Sequence, residues 1–429
     1  MWILLLLSIM LTVLSYLVVK RLDNPSFLFC LIWSIVFFVI LFGPFDISVD
    51  GKTEAILWVM VCMFPLGCAC QNIRLKKKYQ RQPSFGTRTM LFNKSHGETV
   101  YCLKEGFFLL LCGVTIFIMF TDEIEIIKNL FSGVSFLDII KNNGSIQTVE
   151  ISGMRAIIYI FIAYPITYAV SPICAVQIFN RGEKKLLYFL MNITIIFLSV
   201  AHHGGRHIII VFIISYVFAL YIYNKKIFIP KKFKIIITII IIAAIIITLK
   251  VSSSRGIENL WESLIAYFAC GIPVMQNLLN SSIFSEFTWG FSSLNGLIYP
   301  LFAVTRSLGF HDPLIYTYVQ NLRLFVQDTW IPVTGYSRNV NAFMPAGAYL
   351  YLDGGYIVEI VGMFVYGYFS SKIFHEVKTT KNDKATTLYL LILVGIVLSF
   401  IRLYFSSYQY FIGLFYCVFL YKKGIRKAN

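Results

Sequence analysis

Seven arginines of this chain, Arg155, Arg206, Arg255, Arg306, Arg323, Arg338 and Arg402, fall on one side of a strongly apolar sequence, with only Lys52, Lys128, Lys141 and Lys250 as further cations there. A guanidinium presents a planar fork of donors that grips phosphate or carboxylate through two bonds, whereas lysine offers a point charge. Any one of these arginines could instead anchor in lipid headgroups or pair with a carboxylate. Together they predict a polyanionic ligand, with Arg255, Arg306, Arg323, Arg338 and Arg402 as binding residues. Arg206 closes the run His202-His203-Gly204-Gly205-Arg206-His207. Two glycines permit close backbone approach, and a helix start favours an anion, so Arg206 is the first catalytic candidate. His203 and His207 have the spacing of a helical metal pair, but no third ligand accompanies them, and no metal is expected. His203 is instead a candidate proton acceptor. Asp353 precedes Gly354 and Gly355. It reads either as a helix cap or as a general base or sugar-hydroxyl acceptor. Glu359, inside the apolar run that follows, is costly to bury.

These side chains need a scaffold, and the composition says what kind. Of 429 residues, 58% are hydrophobic and 14% charged, about half the charge of a soluble domain. Nearly uncharged windows long enough to cross a bilayer recur along the chain. We expect an all-α, polytopic membrane protein with about eleven spans (range ten to thirteen), near 2–19, 27–45, 54–71, 106–121, 153–172, 186–201, 207–223, 235–250, 355–374, 385–401 and 404–421. The first is read as a retained span, because it lacks a basic start and a small-residue cleavage site. Three regions follow: an N-terminal bundle (1–250), a large loop (251–354) and a C-terminal bundle (355–429).

Charge sets the expected orientation. The loops at 20–26, 72–105, 173–185, 224–234 and 375–384 and the tail at 422–429, counting the span-end Lys372 with its nearer loop, carry 26 basic and 6 acidic residues, a net of +20. The opposite side carries 11 and 15, a net of −4. The basic side is expected in the cytoplasm and the 251–354 segment outside. That segment is too apolar for a soluble domain and too polar for clean spans. Windows 261–279 and 291–309 are broken by Gly, Pro, Asn and Ser, and 315–330 sets Ile315, Val319, Leu322, Val326 and Trp330 on one helical face. Interfacial or re-entrant helices are expected, with full crossing as the alternative. Its aromatics, Tyr299 and Tyr349 among them, suit an interfacial belt or a sugar platform.

The net charge of +16 reflects topology, so no nucleic-acid partner is expected. The nine cysteines have no disulfide or zinc spacing. The chain has neither a nucleotide-binding glycine loop nor an Asp-x-Asp pair, so no cofactor is expected.

In layout the chain resembles the Wzy-type O-antigen, or oligosaccharide repeat-unit, polymerases. The features are Asn-Pro-Ser-Phe-Leu-Phe (24–29) after the first span, Gly-Gly-Arg (204–206) at an outward helix start, the large outer loop, and Asp-Gly-Gly (353–355) before a span. Arg323 and Gly335 are one residue further apart than the family's Arg-x10-Gly motif. The resemblance implies the architecture of the C-type glycosyltransferases. It also implies a polyprenyl-pyrophosphate-linked oligosaccharide substrate in the bilayer of the bacterial inner membrane, and a chain-length regulator protein as partner. A sugar hydroxyl would attack the donor's anomeric carbon and release polyprenyl pyrophosphate. Competing expectations are a lipid-linked oligosaccharide flippase and an O-antigen ligase. A flippase commonly shows repeated halves, which this sequence lacks.

Overall fold

The computed structural model describes residues 1–80, 99–131, 153–182, 184–203, 207–224, 260–332, 339–380 and 382–425. The expected span at 235–250 lies outside the described residues. Helices dominate: α1 (Trp2–Val19), α2 (Pro25–Phe42), α3 (Gly51–Gln80), α4 (Glu105–Phe131), α5 (Gly153–Ile158), α6 (Tyr164–Val176), α7 (Lys185–His203), α8 (His207–Tyr223), α9 (Leu260–Ala269), α10 (Gly271–Asn280), α11 (Asn295–Ser307), α12 (Leu314–Asp328), α13 (Ala346–Thr380), α14 (Asp383–Val397) and α15 (Tyr408–Phe419). Among the described residues, six helical stretches are long and apolar enough to cross a membrane: Trp2–Val19, Pro25–Phe42, Gly51–Leu75, Arg155–Arg181, Lys185–His202 and Ala346–Thr380. Shorter apolar helices occupy Glu105–Thr121, His207–Tyr223 and Tyr408–Phe419.

Local chemistry sets the helix ends and irregularities. Asn24 caps α2 by accepting from the Ser26 N–H, and Pro25 sits in the first turn, where its missing donor costs nothing. A π-helical turn, Tyr159–Ala163, joins α5 to α6. Pro165 follows it and has no N–H for the Phe161 carbonyl. The Tyr416 hydroxyl of α15 donates to that carbonyl instead, at 2.7 Å, and so ties α15 to α6.

Packing between spans relies on small residues, as expected where lipid removes most of the hydrophobic drive for association. Helices α3 and α13 meet at two glycines. A methyl group on Gly67 would strike the Phe364 carbonyl, and one on Gly367 would strike the Phe64 carbonyl. The Cys68 thiol donates to the Gly367 carbonyl at 3.1 Å across the same contact. Polar groups inside the bundle satisfy one another: Trp33 Nε1 donates to Ser399 Oγ at 3.0 Å, and Asn192 bridges Ser171 and Tyr216.

One end of the bundle gathers basic loops. Arg181 and Asn180 grip Asp383, Arg21 makes two bonds to Asp23, and Lys184 pairs with Glu105. A two-stranded antiparallel sheet lies there, pairing β1 (Thr99–Leu103) with β4 (Tyr421–Ile425). A second antiparallel pair, β2 (Ile331–Pro332) with β3 (Asn339–Val340), follows α12.

The polar-apolar segment differs in two ways from the sequence reading. The window 261–279 is two ten-residue helices meeting at Cys270, and 291–309 forms the thirteen-residue α11. On α12 the buried face is Tyr316, Val319, Leu322 and Val326, while Trp330 is 59% exposed. The helix stops at Asp328, so the 3.6-residue period does not carry to Trp330. The expected span at 355–374 is also preceded by a short helix of about two turns. Residues 346–353 are helical and buried, and the chain breaks at Gly354 and Gly355, the latter with φ 66°. That left-handed conformation suits glycine. The half-helix folds against the span beyond the break: a methyl on Gly362 would meet Leu350 at 2.6 Å.

Candidate anion-binding site

Arg323 on α12 and Arg402, between α14 and α15, line one cavity. Their sequence positions are far apart, and two features bring them together. The buried face of α12 fixes Arg323 beside Leu322 and Val326. The stretch after α14 is pinned to the start of the half-helix, because the Met344 and Ala346 N–H groups donate to the Ile401 and Ser399 carbonyls at 3.0 and 2.8 Å. Arg402 is thereby held next to Tyr349, which acts on it electrostatically.

Ser292, Gln327, Tyr349 and Leu352 contribute to the cavity wall. No carboxylate among the described residues pairs with either arginine. Burial, then the positive charge of Arg402, hold the Arg323 guanidinium below its ordinary range. Two like charges 4 Å apart repel by about 4 kcal/mol at an effective dielectric of 20, and by less in inverse proportion to a longer distance. The cavity is therefore short of negative charge, and a dianion would relieve both the repulsion and the missing partners. The buried Tyr316 hydroxyl, near Arg323 and Arg306, has no hydrogen-bond partner among the described residues. Burial pushes it up to about 12, so it stays a donor at neutral pH.

A band of aromatic rings lies beside the cavity. Tyr168 contacts His207 and Tyr404 at ring separations of 5.6 and 6.3 Å, and Arg402 acts electrostatically on both Tyr168 and His207. The band continues through Tyr164, whose hydroxyl is 3.3 Å from His202 Nε2, to Tyr408, which stacks on Tyr299 at 4.7 Å.

The remaining sequence candidates fall into three groups. Arg206, Arg255 and Arg338 lie outside the described residues. His203 is the last residue of α7 and His207 the first of α8. Among the described residues no three metal-ligating side chains come together. Arg306 is exposed, lies over the Tyr299 ring at 5.7 Å and pairs with Asp312 at 3.6 Å, so it has a carboxylate partner where Arg323 and Arg402 have none.

Asp353 is held by the turn that precedes α11. It is buried, and its carboxylate accepts from the Thr288 hydroxyl and the Ser292 and Ser293 N–H groups, at 2.5, 2.9 and 2.9 Å. Three donors leave it poorly placed to take a proton from a substrate. It does not cap the helix it precedes either. It caps the turn before α11, and in doing so carries Ser292 into the cavity wall. Comparison with known proteins adds no name to this geometry: no protein family, curated protein or solved structure matches the chain.

Sequence reasoning named both arginines of the cavity but did not pair them. Tyr168, Tyr404, Ser292 and Gln327 were missed. One signal was available. Arg402 interrupts the apolar run Leu398-Ser399-Phe400-Ile401-Arg402-Leu403-Tyr404-Phe405, where an uncompensated charge is expensive.

Proposed function

We propose that this chain is a multi-pass glycosyltransferase of the Wzy type, with about eleven spans. It would join polyprenyl-pyrophosphate-linked oligosaccharide repeat units into polymer at the outer face of the bacterial inner membrane. The observation that supports this reading is the pair Arg323 and Arg402 in one cavity, with no carboxylate partner among the described residues. The donor's pyrophosphate matches the pair in charge and in bidentate geometry. An acceptor hydroxyl would attack the anomeric carbon as the bond to pyrophosphate breaks. The bonding electrons leave with polyprenyl pyrophosphate, and the hydroxyl proton passes to a base. Negative charge grows on the leaving group, which is where preorganised guanidinium groups contribute most. The neighbouring tyrosines offer apolar faces and hydroxyl tips to sugar rings.

The deciding experiment is the glycan profile of a strain lacking the gene, complemented with wild type or Arg402→Ala. Loss of polymer with single-repeat decoration retained supports polymerisation. Loss of all decoration supports a flippase or ligase instead.

A further inference from the structure

The half-helix 346–353 carries different chemistry on its two faces. Tyr349 and Leu352, three residues apart, line the arginine cavity. Gly347 and Leu350, on the opposite face, rest on the span beyond the break. There Glu359 is fully buried, and neither of its carboxyl oxygens has a hydrogen-bond partner among the described residues. Glycine at 347 makes the room: a methyl there would lie 2.6 Å from Glu359 Oε1 and 3.3 Å from Met60 Sδ of α3. No cation among the described residues pairs with the carboxyl. The ionisable side chains around it are Tyr351 on the half-helix and Tyr356 on the span, whose rings meet at 5.0 Å. Beyond them, Lys52 at the start of α3 lies 5.7 Å from the Tyr351 ring, and Asp50 acts on Tyr356. Helix α2, packed on the same span, has Cys30 as its one ionisable residue.

We propose that Glu359 is a proton-binding site inside the bundle, its carboxyl held as the neutral acid behind the wall of the arginine cavity. An unpaired carboxylate in an apolar interior costs so much that the group takes a proton from water instead. A membrane span is no exception, because charge there must be paired, hydrated or neutralised. The acid keeps one O–H to donate, and the Met60 thioether is a weak acceptor beside it. A metal cation fits less well. Hard cations call for several oxygen ligands, and the carboxyl faces glycine and a thioether instead. Releasing the proton would leave a bare charge between the half-helix and the span. The proton therefore belongs to the packing that sets Tyr349 and Leu352 in the cavity wall. The site stands whatever the arginines bind.

Infrared difference spectroscopy on the purified full-length protein tests this. At neutral pH, wild type minus Glu359→Gln should show a carboxylic-acid carbonyl band that moves in heavy water, with no loss of carboxylate bands. Absence of that acid band overturns the proposal. A second measurement needs no variant, in case Glu359→Gln fails to accumulate. Wild-type membranes are treated with dicyclohexylcarbodiimide, a lipid-soluble reagent that couples to protonated carboxyls, and the modified peptides are mapped. Glu359 should be modified while Asp383, buried but gripped by Arg181, is spared. Sodium chloride and choline chloride should give the same labelling. An unmodified Glu359 overturns proton binding, and protection by sodium alone overturns it in favour of a metal cation.

Discussion

Asp353→Ala should loosen the 288–294 turn before it touches chemistry. The substitution leaves the Thr288 hydroxyl and the Ser292 and Ser293 N–H groups without their acceptor, and all three residues are buried. An orphaned buried donor costs about 1–3 kcal/mol. Water entry and relaxation of the turn reduce the sum, so we expect a loss of about 3–5 kcal/mol in the stability of the 288–294 turn. Thr288→Val removes one donor and keeps the shape, and should cost only about 1–2 kcal/mol. Limited proteolysis in detergent reads this directly. Cleavage between 281 and 294 should accelerate strongly in Asp353→Ala and modestly in Thr288→Val. Polymer formation should fall in the same order, because Ser292 leaves the cavity wall. If Asp353→Ala melts and is cleaved like wild type while polymer is abolished, the anchor argument is wrong and the aspartate acts as a base.

Other expectations follow from the same geometry. Arg402→Lys should retain the charge but lose the fork, leaving polymer yield at roughly one-tenth or less of wild type at matched expression, since a lost charge-assisted contact typically costs a few kcal/mol of transition-state stabilisation. Yield equal to wild type would reduce Arg402 to a point charge. Gly67→Ala and Gly367→Ala should each lower thermal stability in detergent by about 1–3 kcal/mol or prevent accumulation, because the added methyl meets backbone. Gly113→Ala, with open space around it, should be close to neutral. Asp50 caps α3 through Thr53 and accepts from Asn280; burial opposes its charge, but these bonds and Lys52 win and hold its carboxyl below the ordinary range. Its lowered folded value means the tether is present above the ordinary carboxylate range and lost as pH falls through the folded value. Labelling of a cysteine at Ser282 should therefore rise in acid for wild type and be high and pH-independent in Asp50→Ala. A pH-independent wild type refutes that tether.

The spans that sequence located well are those with uninterrupted apolar runs, such as α1 at Trp2–Val19 and α7 at Lys185–His203. Lipid demands continuity there, and hydropathy registers it. The half-helix at 346–353 escaped because its apolar stretch is short and runs through Asp353-Gly-Gly into the next span, which disguises two elements as one. Arg323 and Arg402 were legible one at a time as cations out of place. Their meeting was not, because it depends on the Met344–Ile401 and Ala346–Ser399 backbone bonds, which leave no pattern in residue type. The partners of Asp353 were hidden for a related reason. Its donors, Ser292 and Ser293, lie some sixty residues earlier in the chain.

The sheet at the basic end has a bearing on how the chain assembles. Leu103 pairs with Tyr421, and the Lys104 N–H donates to the Leu420 carbonyl at 2.7 Å. As the polypeptide leaves the ribosome, β1 waits unpaired until every intervening helix has been made. The sheet then closes across helices already inserted, stapling α4 to α15 only if both emerge at the same end of the bundle. Strand pairing of this kind is a late and non-local step, slow to form and intolerant of a helix threaded the wrong way round. The pairing thus requires the start of α4 and the finish of α15 to lie together, a constraint that links two helices some three hundred residues apart in the chain.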